Sequence, residues 1–567
     1  MSSEYLVFAA YAAVTTALAW LLAVHLHRVY ADQRPWLGAV ARPVERLILG
    51  AAGPAARHPQ GWLAYAGAVL TFNLAGFVAL YAVLRLQGVL PLNPEGIAAM
   101  SPDLAFNTAI SFVTNTNWQA YSGEVQLSYL SQMVGLTVQN FVSAATGMAV
   151  AVAVIRGFVA KGDGRLGNFW TDMVRSVLYV LLPLSVVAAV VLIWQGVPQS
   201  LSAYVRATTL EGASQVIAQG PAAAQIAIKQ LGTNGGGFFG VNSAHPLENP
   251  TILSNMVQTV YLLLIPVAFC FLFGRMVGDR RQGWAIFAAM GVLFVAGLLA
   301  MNLPEQAGSP ALAQATGITG PNMEGKEVRF GATLSVLWAE ATTAASNGSV
   351  NAMHDSFMPI SGLVMMLNMQ VGEVIFGGVG SGLYGMLLYV VLAVFLAGLM
   401  VGRTPEYLGK KIEGREVTLS VLAFLSMPLG ILVFSALSTV IPAGLASLQE
   451  TGPHGLSELL YAYSSATGNN GSAFGGFGAA APFHTTLQGI AMALGRYAII
   501  VPMLAVAGSL AMKSPVPATA GTFPTHGPLF VLLLVITVLV LGALTFFPAL
   551  VLGPIAEHVS MLGGQTF

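Results

Sequence analysis

Eleven long apolar runs constrain what this chain can fold into. They are Glu4–Val24, Leu63–Leu86, Leu127–Ile155, Met173–Trp194, Ile252–Met276, Trp284–Met301, Phe357–Phe376, Leu383–Val401, Val417–Ile441, Thr486–Met512 and Leu529–Leu552. A helix rises about 1.5 Å per residue and a bilayer core is about 30 Å thick, so roughly 20 apolar residues cross it. The fold class that follows is an all-α polytopic membrane protein. Of the 567 residues only 8 % are charged, against about 25 % in an average soluble domain. That excludes a disordered chain and argues against a water-soluble enzyme. Lys+Arg and Asp+Glu both number 23, so no basic excess points to nucleic acid. The single cysteine, Cys270, excludes an internal disulfide framework and a Cys-rich metal site.

Loop charge sets direction, because inner loops carry the excess of Lys and Arg. Met1-Ser2-Ser3-Glu4 has no basic residue, so the first run reads as a retained helix with its N-terminus outside, not a cleaved signal. Arg28, Arg34, Arg42, Arg46 and Arg57 fall in the first loop on the opposite side. Arg156, Lys161, Arg165 and Arg175, then Arg275, Arg280 and Arg281, then Arg403, Lys410, Lys411 and Arg415, then Lys513, fall in every second loop after it. Between the outer loop 302–356 and the inner loop 402–416 only one crossing fits. The runs Phe357–Phe376 and Leu383–Val401 must then cross together, broken at Gly377-Gly378-Val379-Gly380-Ser381-Gly382. That gives ten crossings with both termini outside. Irregular backbone at membrane depth occurs where it lines a path or is buried in protein, which makes the break a candidate pore element. The alternative, a tight turn between two separate helices, would invert every later loop against the charge rule.

Four outer loops share a form. They read Thr114-Asn115-Thr116-Asn117, Thr233-Asn234-Gly235-Gly236, Ser346-Asn347-Gly348-Ser349 and Asn469-Asn470-Gly471-Ser472. Their period of about 120 residues marks an internal repeat, and a shared side marks it as parallel, suggesting four subdomains around an axis normal to the membrane. Each follows a segment too short to span, near residues 103–113, 221–231, 332–345 and 456–466. A helix dipping in from outside aims its C-terminal end, with about half a negative charge, at the membrane centre. Ion filters replace the water shell with backbone carbonyls, and glycine permits the angles this needs. Thr, Ser and Asn add neutral oxygens, and no carboxylate is present. Such a site suits a large monovalent cation better than Mg²⁺ or Ca²⁺. Asn-Gly pairs also mark ordinary turns, but four in register on one side argue for a filter.

At these motifs the chain resembles the KdpA family, the potassium-binding subunits of bacterial Kdp pumps. The matching stretches are Phe112–Gln119, Leu231–Phe239 with Asn242–Pro246, Ser346–Val350 with Asp355–Phe357, and Asn469–Phe474. The resemblance implies four M1–pore helix–M2 repeats around a pseudo-fourfold axis, with an extra helix at each end. On this chain these are an N-terminal helix at 1–27, an interfacial loop at 28–61, repeats at 62–156, 170–276, 284–402 and 417–512, and a C-terminal helix at 528–552. It implies K⁺ at Thr114, Asn115, Thr116, Thr233, Asn234, Gly235, Ser346, Asn347, Gly348, Asn469, Asn470 and Gly471, flanked by Gln119, Gly236, Ser349 and Ser472. It also implies a gate at Gly377, Gly378, Gly380 and Gly382, and a tunnel toward a P-type ATPase subunit, KdpB. KdpC and the single-helix KdpF complete the complex, with ATP and Mg²⁺ on the partner. The chain carries neither a P-loop nor an Asp-Lys-Thr-Gly phosphorylation motif, so no hydrolysis and no catalytic residues are expected here. The implied location is the bacterial inner membrane.

Glu373, in the half-helix before the break, and Arg496, mid-span, are intramembrane charges, which are costly and usually functional. Glu373 would draw a cation from the filter. Arg496 would hold carbonyls of the break or bar downward leak; a structural ion pair or snorkelling are the plainer alternatives. Trp62, Trp194 and Trp284 sit at span ends as interfacial anchors. Trp36–Leu49 places its apolar residues at helical spacing, as for a helix on the inner membrane surface. His354 and His484 have no second histidine at a metal-ligand spacing and read as structural. A stand-alone K⁺ channel or ion-coupled carrier is the competing function.

Overall fold

The computed structural model describes residues 3–33, 35–56, 58–517 and 522–565. Met1, Ser2, Arg34 and Arg57, used above for direction, lie outside the described residues. Ten helices there are long and apolar enough to cross a membrane. They agree with the ten crossings drawn from hydropathy and loop charge. The first extends to Tyr30, past the apolar run, because tertiary contacts hold its end. His25 Nε2 meets the Tyr179 carbonyl at 2.9 Å, and the Tyr30 and Ser176 hydroxyls bond at 2.7 Å. The third begins at Ser131 rather than Leu127, since the Gln87 amide binds the carbonyls of Ala98 and Gln126 and holds that stretch irregular.

Between the spans lie four short helices, Pro102–Val113, Ala222–Leu231, Gly331–Ala344 and Gly452–Gly468. Pro102 at the first turn of the first suits a position whose N–H has no helical partner. Their side chains are buried almost all round, as befits a helix enclosed by others. Each packs against helices before and after it in sequence; the first lies on Trp62–Leu86 and Pro482–Ala511. The spans differ in depth. Ile252–Met276 is 83 % buried over its most apolar stretch and Trp62–Leu86 only 22 %, so the former lines the centre and the latter faces lipid. At the two ends of the chain, Ser3–Tyr30 packs on Ile252–Met276 and Pro528–Val538 on Arg280–Ala307.

The fold is all-helical as expected, apart from two short antiparallel hairpins in polar loops, Val205–Thr208 with Ser214–Ile217 and Glu406–Tyr407 with Lys410–Lys411. The broken span, however, opens earlier than Gly377. Its first half is Pro359–Gln370 and its second Ser381–Val401, so Glu373 lies inside the break and not in the half-helix before it. Gly372, Glu373, Phe376, Gly377 and Gly380 all take left-handed φ, from +49° to +85°. Hydropathy registers Val371–Phe376 as apolar and cannot register its backbone.

Candidate ion-binding site

After each short helix the chain turns through two left-handed residues spaced two apart. The φ values are 67° and 53° at Asn115 and Asn117, 47° and 84° at Thr233 and Gly235, 53° and 86° at Ser346 and Gly348, and 61° and 103° at Asn469 and Gly471. This aligns the first loop one residue later than its letters do: Asn115-Thr116-Asn117 stands where the others have Thr233-Asn234-Gly235, Ser346-Asn347-Gly348 and Asn469-Asn470-Gly471. Asn117, not Thr116, therefore takes the glycine position. Asparagine tolerates left-handed backbone better than other side-chain-bearing residues.

The loops close into a ring. Asn115 Nδ2 donates to the Thr233 carbonyl at 2.9 Å. Asn347 Nδ2 donates to the Lys229 carbonyl at 3.2 Å, and Ser349 Oγ to Gln230 at 3.0 Å. Ser346 Oγ donates to the Asn469 carbonyl at 2.9 Å, and Asn470 Nδ2 to that of Thr342 at 2.9 Å. Asn469 Nδ2 reaches Thr116 Oγ1 at 3.0 Å and completes the circuit. Side-chain amides that flank the path thus brace neighbouring loops. A Cβ on Gly235 would sit 1.8 Å from the Asn347 carbonyl, on Gly348 2.2 Å from that of Asn470, and on Gly471 2.1 Å from that of Thr116. No side chain fits there. Of the flanking residues, Gln119 exchanges two hydrogen bonds with Gly237, Ser472 Oγ donates to Asn470 Oδ1, and a Cβ on Gly236 would meet the Asn117 carbonyl.

Above the ring opens a cavity of about 680 Å³ touched by Gly348, Gly471, Gln119 and Ser472. Below it sits the break. Val379 N donates to Thr233 Oγ1 at 2.9 Å, Gly377 N to the Ala344 carbonyl at 3.2 Å, and a Cβ on Gly378 would lie 3.2 Å from Ser346. Gly380 rests against the Gly147 carbonyl and Gly382 against that of Phe376. Beside the break, Glu373 and Arg496 line one space of about 30 Å³ with Ser346 and Asn469, room for at least one water. Both are buried. Neither belongs to an ion pair among the described residues; the ion pairs buried there include Lys229–Glu248 and Lys326–Glu305. The site thus offers neutral oxygens in a ring, then one carboxylate beneath it.

These features can be set beside known proteins. The family described as KdpA, potassium-transporting ATPase A subunit, matches residues 9–559. The chain belongs to the KdpA family. A relative from Rhodospirillum centenum, named potassium-transporting ATPase potassium-binding subunit, is 62 % identical over 559 residues, covering 98 % of this chain and 97 % of its own. One of the same name from Methylorubrum extorquens is 61 % identical, covering 99 % and 98 %. Among solved structures, the potassium transporter TrkH from Vibrio parahaemolyticus overlaps 86 % of this chain and 96 % of its own at 15 % identity, with a TM-score of 0.48.

Sequence reasoning about this KdpA-family chain missed three things. Asn117 was hidden because loops were aligned by letters. Lys229 is fully buried in the second short helix, paired with Glu248 behind the second loop of the ring; a lone charge in an otherwise uncharged short helix was the available signal. Lys326, in the outer loop 302–356, is also buried, against Glu305 and 4.1 Å from the Phe357 ring centre. His354 bonds Tyr461 at 2.7 Å, and His484 bonds Tyr463 at 3.0 Å and the Gly444 carbonyl at 3.2 Å.

Proposed function

We propose that this chain is the potassium-selecting subunit of an ATP-driven uptake pump, with the four-loop ring as its filter. The observation that supports this most is the closed ring of neutral oxygens set directly over a blocked, carboxylate-bearing space. K⁺ would leave its water shell for oxygens of residues 114–117, 233–235, 346–348 and 469–471, where the C-terminal ends of four short helices favour positive charge. Backbone held by neighbouring loops resists closing around the smaller Na⁺. Glu373 then attracts the ion out of the ring, while Arg496 on the far side of the same space opposes a straight descent. The break at 371–380 stops the vertical path, which leaves a lateral exit toward a partner.

The relatives' names support membership of an ATPase complex. A P-type subunit of the KdpB kind would hold ATP and Mg²⁺ and do the hydrolysis, with KdpC and KdpF as further subunits. The repeats take the bounds 62–156, 170–276, 284–402 and 417–512, with one extra helix before the first and one after the last. The bacterial origin of the relatives supports an inner-membrane location, and loop charge supports an orientation with both termini outside. The test is radioactive Rb⁺ flux into vesicles holding either the assembled complex or this chain alone. Flux that needs both the partner and ATP supports the pump. Downhill flux through the chain alone would replace it with a stand-alone channel.

A further inference from the structure

At the end of the bundle that bears most basic loop residues lies a second cavity, polar and of about 760 Å³. One wall is the helix Gly38–Ala51 and another the helix Phe169–Arg175. Glu45 pins the first: its carboxylate accepts from Arg175 Nε at 2.7 Å and from the Tyr179 hydroxyl at 2.6 Å. Arg175 also pairs with Asp32 at 2.7 Å. Asp172 accepts from Arg156 at 2.6 and 2.9 Å and from the Tyr65 hydroxyl at 3.1 Å. The cavity's three carboxylates, Asp32, Glu45 and Asp172, are therefore all engaged by Arg156 or Arg175. Arg42 and Arg46 line the same cavity without a carboxylate partner among the described residues. The cavity carries an unneutralised positive charge.

The opposite face of the same helix is apolar and bare. Val40 is 76 % exposed, Leu47 74 %, and Trp36, just ahead of the helix, 63 %. Trp36 stacks on His25 at 4.8 Å, which ties this segment to the first span. A helix with one apolar and one arginine-bearing face lies in the membrane interface. Guanidinium forks match phosphate oxygens in geometry as well as charge.

We infer that this cavity binds the phosphate of an anionic phospholipid through Arg42 and Arg46, its acyl chains lying beside the exposed apolar face of Gly38–Ala51. Free phosphate offers the same oxygens but has nothing to place against Val40 and Leu47. That the lipid belongs to the inner leaflet rests on the orientation proposed above; the headgroup chemistry does not, and symmetric vesicles test it independently.

The experiment is native mass spectrometry and lipid titration of the assembled complex, using phosphatidylglycerol against phosphatidylcholine. The wild type should retain phosphatidylglycerol preferentially. Each cation near an anionic headgroup is worth on the order of fivefold in affinity, so Arg42→Gln/Arg46→Gln should bind it roughly 25-fold more weakly. Arg165→Gln/Arg415→Gln, at exposed residues that do not line the cavity, should bind as the wild type does. Equal retention of the two lipids by the wild type, which needs no variant to fold, would overturn the inference. So would equal losses in the two double variants, or displacement of the lipid by inorganic phosphate.

Discussion

Asn117 holds a left-handed φ of 53° where the other three loops have glycine, and its Nδ2 donates to Asn140 at 2.6 Å. Asn117→Gly relieves the backbone and loses that bond and a longer one to the Gly236 carbonyl, so it should leave K⁺-stimulated ATP hydrolysis of the complex within about threefold of wild type. Asn117→Val puts a β-branched side chain at positive φ and should cost about 1–3 kcal/mol, with clear loss of K⁺ stimulation. If valine were tolerated as well as glycine, the alignment of the first loop at Asn117 would be wrong. A different residue reports pH. Burial pulls the His454 pKa down, but hydrogen bonds to Asp355 at 3.1 Å and Glu557 at 3.0 Å outweigh it and push it up to about 10. A raised histidine pKa gives stability that is complete below the unfolded value of about 6.5 and fades as pH rises through about 10. Thermal melting of the complex should lose stability across that window, and His454→Gln should flatten the loss. The four repeated loops were legible in the sequence because an Asn-centred motif recurs; the register of the first was not, because Asn and Gly share a backbone conformation and not a letter.

At the scale of elements, the proposed gate rests on the broken span. Its position was legible from the glycine cluster and the charge rule. Its extent was not, because Glu373 and Phe376 adopt left-handed φ without being glycine, a strain that surrounding structure must impose. Gly147 is one such neighbour. It sits inside the helix Val138–Val159 with ordinary helical backbone, and a Cβ there would lie 2.3 Å from the Val379 carbonyl and 3.2 Å from Arg496. Gly147→Ala therefore pushes the break without straining its own helix. Rb⁺ uptake by the complex should fall by roughly tenfold or more, a change of about 1.4 kcal/mol in the barrier, while the protein still assembles. Uptake unchanged from wild type would mean that the break moves freely of this helix and gates nothing.

For the whole molecule, ten spans were legible because apolar length and loop charge are one-dimensional signals. Buried polar pairs such as Lys229–Glu248 were not, because partners 19 residues apart in sequence meet only once the second loop folds. Orientation is open to direct measurement. Cys270 is buried, so in a Cys270→Ala background a cysteine at Leu210, fully exposed in a loop that the proposed orientation puts outside, should react with an impermeant maleimide on intact cells. One at Glu413, exposed on the opposite side, should react only after lysis; the reverse pattern would invert the topology. The most direct test of the filter is ATP hydrolysis by the purified complex titrated with K⁺ and with Na⁺, for wild type and Gly348→Ala. A Cβ at that position meets the Asn470 carbonyl at 2.2 Å on a φ of +86°. K⁺ but not Na⁺ should stimulate the wild type, and the variant should need at least about tenfold more K⁺ or lose its preference over Na⁺. An unchanged K⁺ response and selectivity in Gly348→Ala would contradict the assignment of selection to the four-loop ring.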